Sequence, residues 1–184
     1  MIVPRTSPAP VFTQIADPEQ ITADLRQAMA GCWVEVTNAG GAAGFPFPPV
    51  GAIDVMPVLD AIIKDLDTHH SRLLAAHLQG KFAGWVNLCR DGGRLTGHWG
   101  TVHHLQTRTS MRGRGIGAAL MNEVRRIARD ELNLEQLHLT ARGGVGLETF
   151  YGQLGWKEVG RWPDALRLAD GEDRDEFLML LAPL

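Results

Sequence analysis

Cysteine is scarce in this chain of 184 residues, which has only Cys32 and Cys89, far apart. Two isolated cysteines exclude a disulfide framework and give none of the paired spacings of a zinc site. No bound metal is expected. Long apolar runs are missing too, so nothing here spans a bilayer as a helix and no membrane partner is expected. A basic excess is also lacking: the formal net charge is −3, which argues against nucleic acid as a partner. The stretch Met1–Pro10 has three prolines and no apolar core, unlike a signal peptide. It reads as a flexible segment (1–10) ahead of one domain over 11–184, and a cytoplasmic protein is the default expectation. Tyrosine occurs once, as Tyr151.

Glycine is plentiful by contrast. Arg112-Gly113-Arg114-Gly115-Ile116-Gly117 follows a β-like run and opens an apolar-periodic stretch. Glycines let a backbone turn at positive φ and bring bare N–H groups close to a ligand. The free N–H groups at the start of the next helix then suit a phosphate. A P-loop is excluded, because no Gly-x-x-x-x-Gly-Lys-Ser/Thr occurs. A dinucleotide fingerprint fits poorly, because Gly113, Gly115 and Gly117 are spaced two apart and the third glycine falls one residue early.

The pattern Arg112-x-x-Gly115-x-Gly117, followed by Ala118, resembles the acyl-CoA loop of the GNAT superfamily of N-acetyltransferases. A second segment, Thr149-Phe150-Tyr151-Gly152-Gln153-Leu154-Gly155-Trp156, is similar to that family's Phe/Leu-Tyr-x-x-x-Gly-Phe ending. The two occur in the family's order and spacing, and the likeness is good over residues 97–162. It implies an α/β fold, a mixed central β-sheet flanked by about four helices. It also implies acetyl-CoA as cosubstrate and a primary amine as acceptor; relatives often dimerise, which leaves a homodimer open.

Periodicity places the elements. Val11–Ile15 alternates as a strand, and Asp17-Pro18 has the form of a helix start. Ile21, Leu25, Met29 and Trp33 form a helical stripe, and a second helix is expected from about Val55 to Leu66. Ser71–Gln79 and Lys81–Cys89 make a hairpin around Gly80, with Gly97–Thr107 as the next strand. The glycine loop leads into a helix with Ile116, Leu120, Val124 and Ile127 inward. Leu137–Thr140, Leu147–Leu154 and Glu176–Leu181 follow as strand, helix and strand.

Acetyl transfer to an amine requires a held donor, a polarised carbonyl, a base and an acid. Backbone N–H groups of Arg112, Gly113, Arg114, Gly115, Ile116, Gly117 and Ala118 are expected to hold the pyrophosphate. The Arg112 and Arg114 side chains either add charge there or are solvated. The main chain of Leu105, Gln106 and Thr107 offers an edge for the pantetheine arm. By resemblance, an N–H in that strand polarises the thioester carbonyl. Tyr151 matches the tyrosine that commonly returns a proton to the thiolate; the alternative is a tyrosine packed in place.

For the base, many relatives carry a glutamate where Thr101 stands here. Thr101 cannot serve as a base and is grouped instead with the acceptor-binding residues. His103 matches the second of two strand histidines in the arylalkylamine branch, and an imidazole suits ammonium deprotonation near neutral pH; a structural histidine is the rival. Strand alternation puts Thr101, His103 and Leu105 on one face and Val102 and His104 on the other. Phe45 and Phe47, in the glycine- and proline-rich stretch 38–52, are expected at the acceptor pocket. Trp162–Glu176 is acidic, and reads as a solvated hairpin tip or as an attractor of cationic amines. Gly144 stands where many relatives have an asparagine that helps hold the cofactor. That variant, with Gly40-Gly41-Ala42 and Phe45, is similar to antibiotic- and toxin-inactivating members. A small-molecule acceptor leads; a protein N-terminus or lysine, and a silent acyl-CoA-binding module, are the alternatives.

Overall fold

The computed structural model describes residues 8–41, 44–45 and 48–184. In chain order the elements are β1 (Val11–Ile15), α1 (Ala23–Asn38), α2 (Ala52–Lys64), β2 (Ser71–Leu78), β3 (Lys81–Arg90) and β4 (Trp99–Thr107). Then come α3 (Ile116–Asp130), β5 (Gln136–Arg142), α4 (Leu147–Gln153), β6 (Lys157–Ala169) and β7 (Glu172–Leu181). The seven strands form one sheet in the order β1-β2-β3-β4-β5-β7-β6. Every neighbouring pair is antiparallel except β4–β5. The expected mixed α/β sheet with four helices is what forms.

Alternation on the central strands divides the core in two. On β2 and β3, Leu73, Ala75 and Trp85 pack under α1 and α2 against Met29, Trp33, Val55 and Leu59. Their neighbours Leu74, Ala76 and Val86 face the other way, against Leu120, Val124 and Ile127 of α3. A strand covered on both faces must be apolar at nearly every position, and Leu73-Leu74-Ala75-Ala76 is. The hairpin between β2 and β3 turns on Gln79 and Gly80, both at positive φ (53° and 75°), as a two-residue turn between twisted strands requires.

Three sequence expectations are corrected. Asp17-Pro18 does not begin α1; Asp17 caps a single 3-10 turn, Pro18–Gln20, and α1 starts at Ala23 with the Thr22 side chain accepting from the Leu25 N–H. α2 begins three residues early, at Ala52, where the Asp54 carboxylate accepts from the Gly51 N–H and closes the first turn. The acidic stretch 162–176 is mostly strand, because β6 and β7 run as a long hairpin that turns at Asp170 and Gly171. β6 is an edge strand exposed along most of its length, so no buried face marks it with apolar alternation.

β4 also departs from the strict alternation expected of it. Trp85 pairs with Gln106 and Asn87 with His103, so Val86 alone stands opposite His104 and Leu105. This is a β-bulge, with His104 at φ +56°. The extra residue breaks the period of two. Val102 and Leu105 both pack on the α3 side, whereas His104 turns toward α1 and meets Trp33 and Trp85.

Candidate active site

The parallel pairing of β4 with β5 covers only Trp99–Thr101 against Gln136–His138. Beyond that point β5 continues alongside β7 while β4 diverges. The sheet therefore opens into a cleft of about 1000 Å³ between β4, β5, the start of α3, α4 and the β6–β7 hairpin. The β5-facing edge of Leu105–Thr107 has no β5 partner, which leaves main-chain groups available to an extended ligand.

Local backbone chemistry shapes the floor. Gly113 and Gly115 sit at φ +74° and +75°, a region where a Cβ is disfavoured, and the space beside each is open. Gly115 is the N-cap of α3 and supplies no side-chain cap. The first i→i−4 bond runs from the Ala119 N–H to the Gly115 carbonyl, 2.9 Å, so the N–H groups of Ile116, Gly117 and Ala118 have no partner inside the helix. Those N–H groups and the positive dipole end of a 15-residue helix suit a pyrophosphate. The residues present fit coenzyme A on this observation.

Leu105, Gln106, Thr107, Arg112, Gly113, Gly115, Ile116, Gly117 and Ala118 all line the cleft, with His103, Tyr151 and Phe45. Arg114 and Thr101 do not. Thr101 lies in the part of β4 still paired on both sides, to Cys89 and His138, before the strands separate. Phe47 lies outside the described residues.

The titratable groups differ in environment. Tyr151 is 7% exposed, its ring 5.0 Å from Phe150 and 6.0 Å from Trp156. Burial raises its phenol to about 12, and among the described residues its hydroxyl has no hydrogen-bond partner. His103 is exposed into the cleft, and the surrounding protein lowers its pKa below the ordinary imidazole value. His104 is held harder. Desolvation, then the nearby His103, bring it down to about 4, while its ring lies 4.7 Å from Trp33 and stacks on Trp85 at 5.9 Å.

That environment has a consequence for stability. Between pH 6.5 and about 4 the unfolded chain protonates His104 and the folded one does not. Stability is therefore lost as the pH falls through that window, by up to roughly 3 kcal/mol from this residue. His104→Asn tolerates the left-handed backbone and carries no titrating group. Denaturant unfolding at pH 7 and pH 4.5 is expected to show a smaller acid loss in the variant; an equal loss places the acid sensitivity elsewhere.

Glu35 was not legible as a site residue. From α1, its carboxylate accepts from the Thr109 N–H at 2.6 Å, the Arg108 guanidinium at 2.8 Å and the Thr109 hydroxyl. Partial burial works the other way, yet the bonds from Thr109 and Arg108 hold it below the usual carboxylate range. Glu35 thus ties α1 to the chain that leads into the glycine loop.

Residues 43–156 match the family model described as Acetyltransferase (GNAT) family. The chain belongs to this family. Among solved structures, the GNAT fold recurs in an acetyltransferase from Streptococcus pneumoniae at TM-score 0.73 and 18% identity, covering 95% of this chain and 99% of that one. A ribosomal-protein-alanine N-acetyltransferase from Brucella melitensis gives 0.71 and 16%, over 94% and 99%. An aminoglycoside 6'-N-acetyltransferase complexed with coenzyme A gives 0.68 and 14%, over 94% and 96%. At these identities the likeness speaks for the fold. No curated protein sequence matches the chain.

In this GNAT chain, Gly144 lies at φ +83°, in the left-handed region that favours glycine. The histidines that do not line the cleft have other partners: His138 stacks on Trp99 at 4.3 Å, and His70 Nδ1 lies 3.0 Å from Asp67. Among the described residues no group of acidic, His or Cys side chains is placed to hold a metal ion, and no helix is long and apolar enough to cross a membrane.

Proposed function

We propose that this acetyltransferase uses acetyl-CoA to acetylate the primary amine of a small molecule by direct transfer in a ternary complex. The supporting observation is one cleft that combines the parted β4 edge and free α3 N–H groups with both Tyr151 and His103. Acetyl-CoA supplies the activated acyl group. The α3 N-terminus and Arg112 hold its pyrophosphate, and β4 beyond the bulge presents main-chain N–H groups to the thioester oxygen. His103, whose pKa is lowered by desolvation, takes a proton from the acceptor ammonium. As the N–C bond forms and the C–S bond breaks, Tyr151 gives its proton to the sulfur, and the second proton shed by the acylated nitrogen restores the phenol.

A small acceptor is favoured over a protein chain because Phe45 of the α1–α2 connection and Ala165–Leu168 of the β6–β7 hairpin both wall the cleft. A silent binding module is disfavoured by the presence of acid and base candidates together. Two free thiols, Cys32 and Cys89, suit a cytoplasmic setting.

Calorimetry with acetyl-CoA, followed by free-thiol release across an amine panel, tests this reading. Absence of binding and of release would refute it. His103→Gln is the sharper probe of the base. In the wild type, kcat/KM is expected to fall with pH below about 6.5, as a His103 of lowered pKa protonates. The variant should lose that limb and most of the plateau rate. A limb unaltered by the substitution assigns the base to another group.

A further inference from the structure

The charges around the acceptor end of the cleft are not distributed as the acidic sequence of the hairpin suggests. Asp173 is bound by Arg167 at 2.7 Å, Glu172 by Arg174 at 3.2 Å, and Asp175 by Arg161 at 3.1 Å. Three of the six acidic residues of this arm are thus paired with arginines and point their charge at those partners, while Glu176 stands in the cleft wall without an ion pair among the described residues.

Arg142 stands apart. It ends β5, lines the cleft and is half-buried. Its Nη2 donates to the Gly40 carbonyl at 2.6 Å, which fixes the guanidinium against the α1–α2 connection. Its Nε is buried without a partner, and among the described residues no carboxylate lies within ion-pair distance. Two charged groups act on it: Arg174, which is repulsive, and Glu172, already held by Arg174. Glu176, directly across the strand pair and also in the cleft wall, does not reach it.

A half-buried cation with unused donors carries a desolvation cost that a binding anion would offset, and a planar guanidinium matches a carboxylate in geometry. Apolar Phe45, Leu166 and Leu168 share the wall. We infer that Arg142 receives a carboxylate of the acceptor, so that the acceptor class is an amine that is also an acid, an amino acid with an apolar side chain. This rests on the acetyl-transfer reading above and names the substrate class within it.

The test compares L-leucine with L-leucinamide, which differ in carrying the carboxylate. Wild-type kcat/KM is expected to favour the acid at least tenfold. In Arg142→Gln the acid-to-amide ratio should collapse toward one, and Arg142→Lys should restore part of it. Calorimetric binding of N-acetyl-L-leucine and its amide to the CoA-loaded protein supplies a readout independent of turnover, with the same tenfold preference expected. Equal ratios in wild type and Arg142→Gln overturn the inference, as does acetyl-CoA binding with no response to either pair. A loss of acetyl-CoA affinity in Arg142→Gln with the acid preference intact also overturns it, assigning Arg142 to the cofactor. Failure of acetyl-CoA binding in the wild type is a different result: it refutes the enzymatic reading, while binding of N-acetyl-L-leucine to the free protein still tests Arg142.

Discussion

Tyr151→Phe is expected to lower kcat by two to three orders of magnitude, within the usual range for a proton-transfer group, and to leave the Kd for acetyl-CoA within about twofold. The substitution is a clean one. The ring is held between Phe150 and Trp156, so phenylalanine keeps the packing. The hydroxyl has no partner among the described residues, so its removal orphans no other buried group. Stability should stay within about 1 kcal/mol of the wild type. The raised pKa, to about 12, bears on the mechanism in two ways. It keeps the phenol protonated at every working pH, so the wild-type rate should show no basic limb from this group below about pH 10. It also makes the phenol a weaker acid than in water. The same desolvation, however, raises the proton affinity of a thiolate leaving into that wall, so the difference between donor and acceptor changes less than either value. Stopped-flow thiol release with saturating acetyl-CoA and amine measures the effect. A kcat within threefold of wild type would remove Tyr151 from the proton path.

The parts of this fold that were legible in sequence are those where one face is buried and the chemistry is local. Ile116, Leu120, Val124 and Ile127 recur at helical spacing because α3 covers the sheet on that side, and all four are buried. The glycine loop could be read because positive φ at Gly113 and Gly115 leaves few alternatives to glycine. Where burial is absent, the pattern fails. β6 pairs only with β7 and shows solvent Val159 and Trp162, so its 13 residues carry no core periodicity. Local alternation also cannot reveal an inserted residue in a strand pair. Val86 opposite both His104 and Leu105 is a property of two strands together, and it sends His104 toward Trp33 rather than beside Val102. Arg142 was hidden for a related reason. Its significance lies in the carboxylates that fail to reach it, and those are known only once the hairpin arginines have found their own partners.

The cofactor site makes the other large prediction, at Gly117. A Cβ placed there would lie 3.4 Å from the Phe150 ring and 3.6 Å from the Thr107 hydroxyl, so a methyl group fits with a slight adjustment and nothing larger does without entering the cleft. Gly117→Ala is expected to be nearly neutral, helped by better helix propensity in the first turn of α3. Gly117→Trp sends an indole across the N–H groups of Ile116 and Ala118, where the pyrophosphate belongs. Acetyl-CoA affinity should fall at least a hundredfold, which is about 2.7 kcal/mol. Thermal unfolding separates this from misfolding. Ligand at about a hundred times its Kd stabilises the native state by about 2.7 kcal/mol, so acetyl-CoA should raise the Tm of wild type and Gly117→Ala by several degrees. Gly117→Trp should unfold near the ligand-free wild-type Tm and gain almost nothing from acetyl-CoA. A tryptophan variant that still binds with wild-type affinity would show that the donor's phosphates rest somewhere other than the start of α3, and the assignment of every group downstream in the cleft would have to move with them.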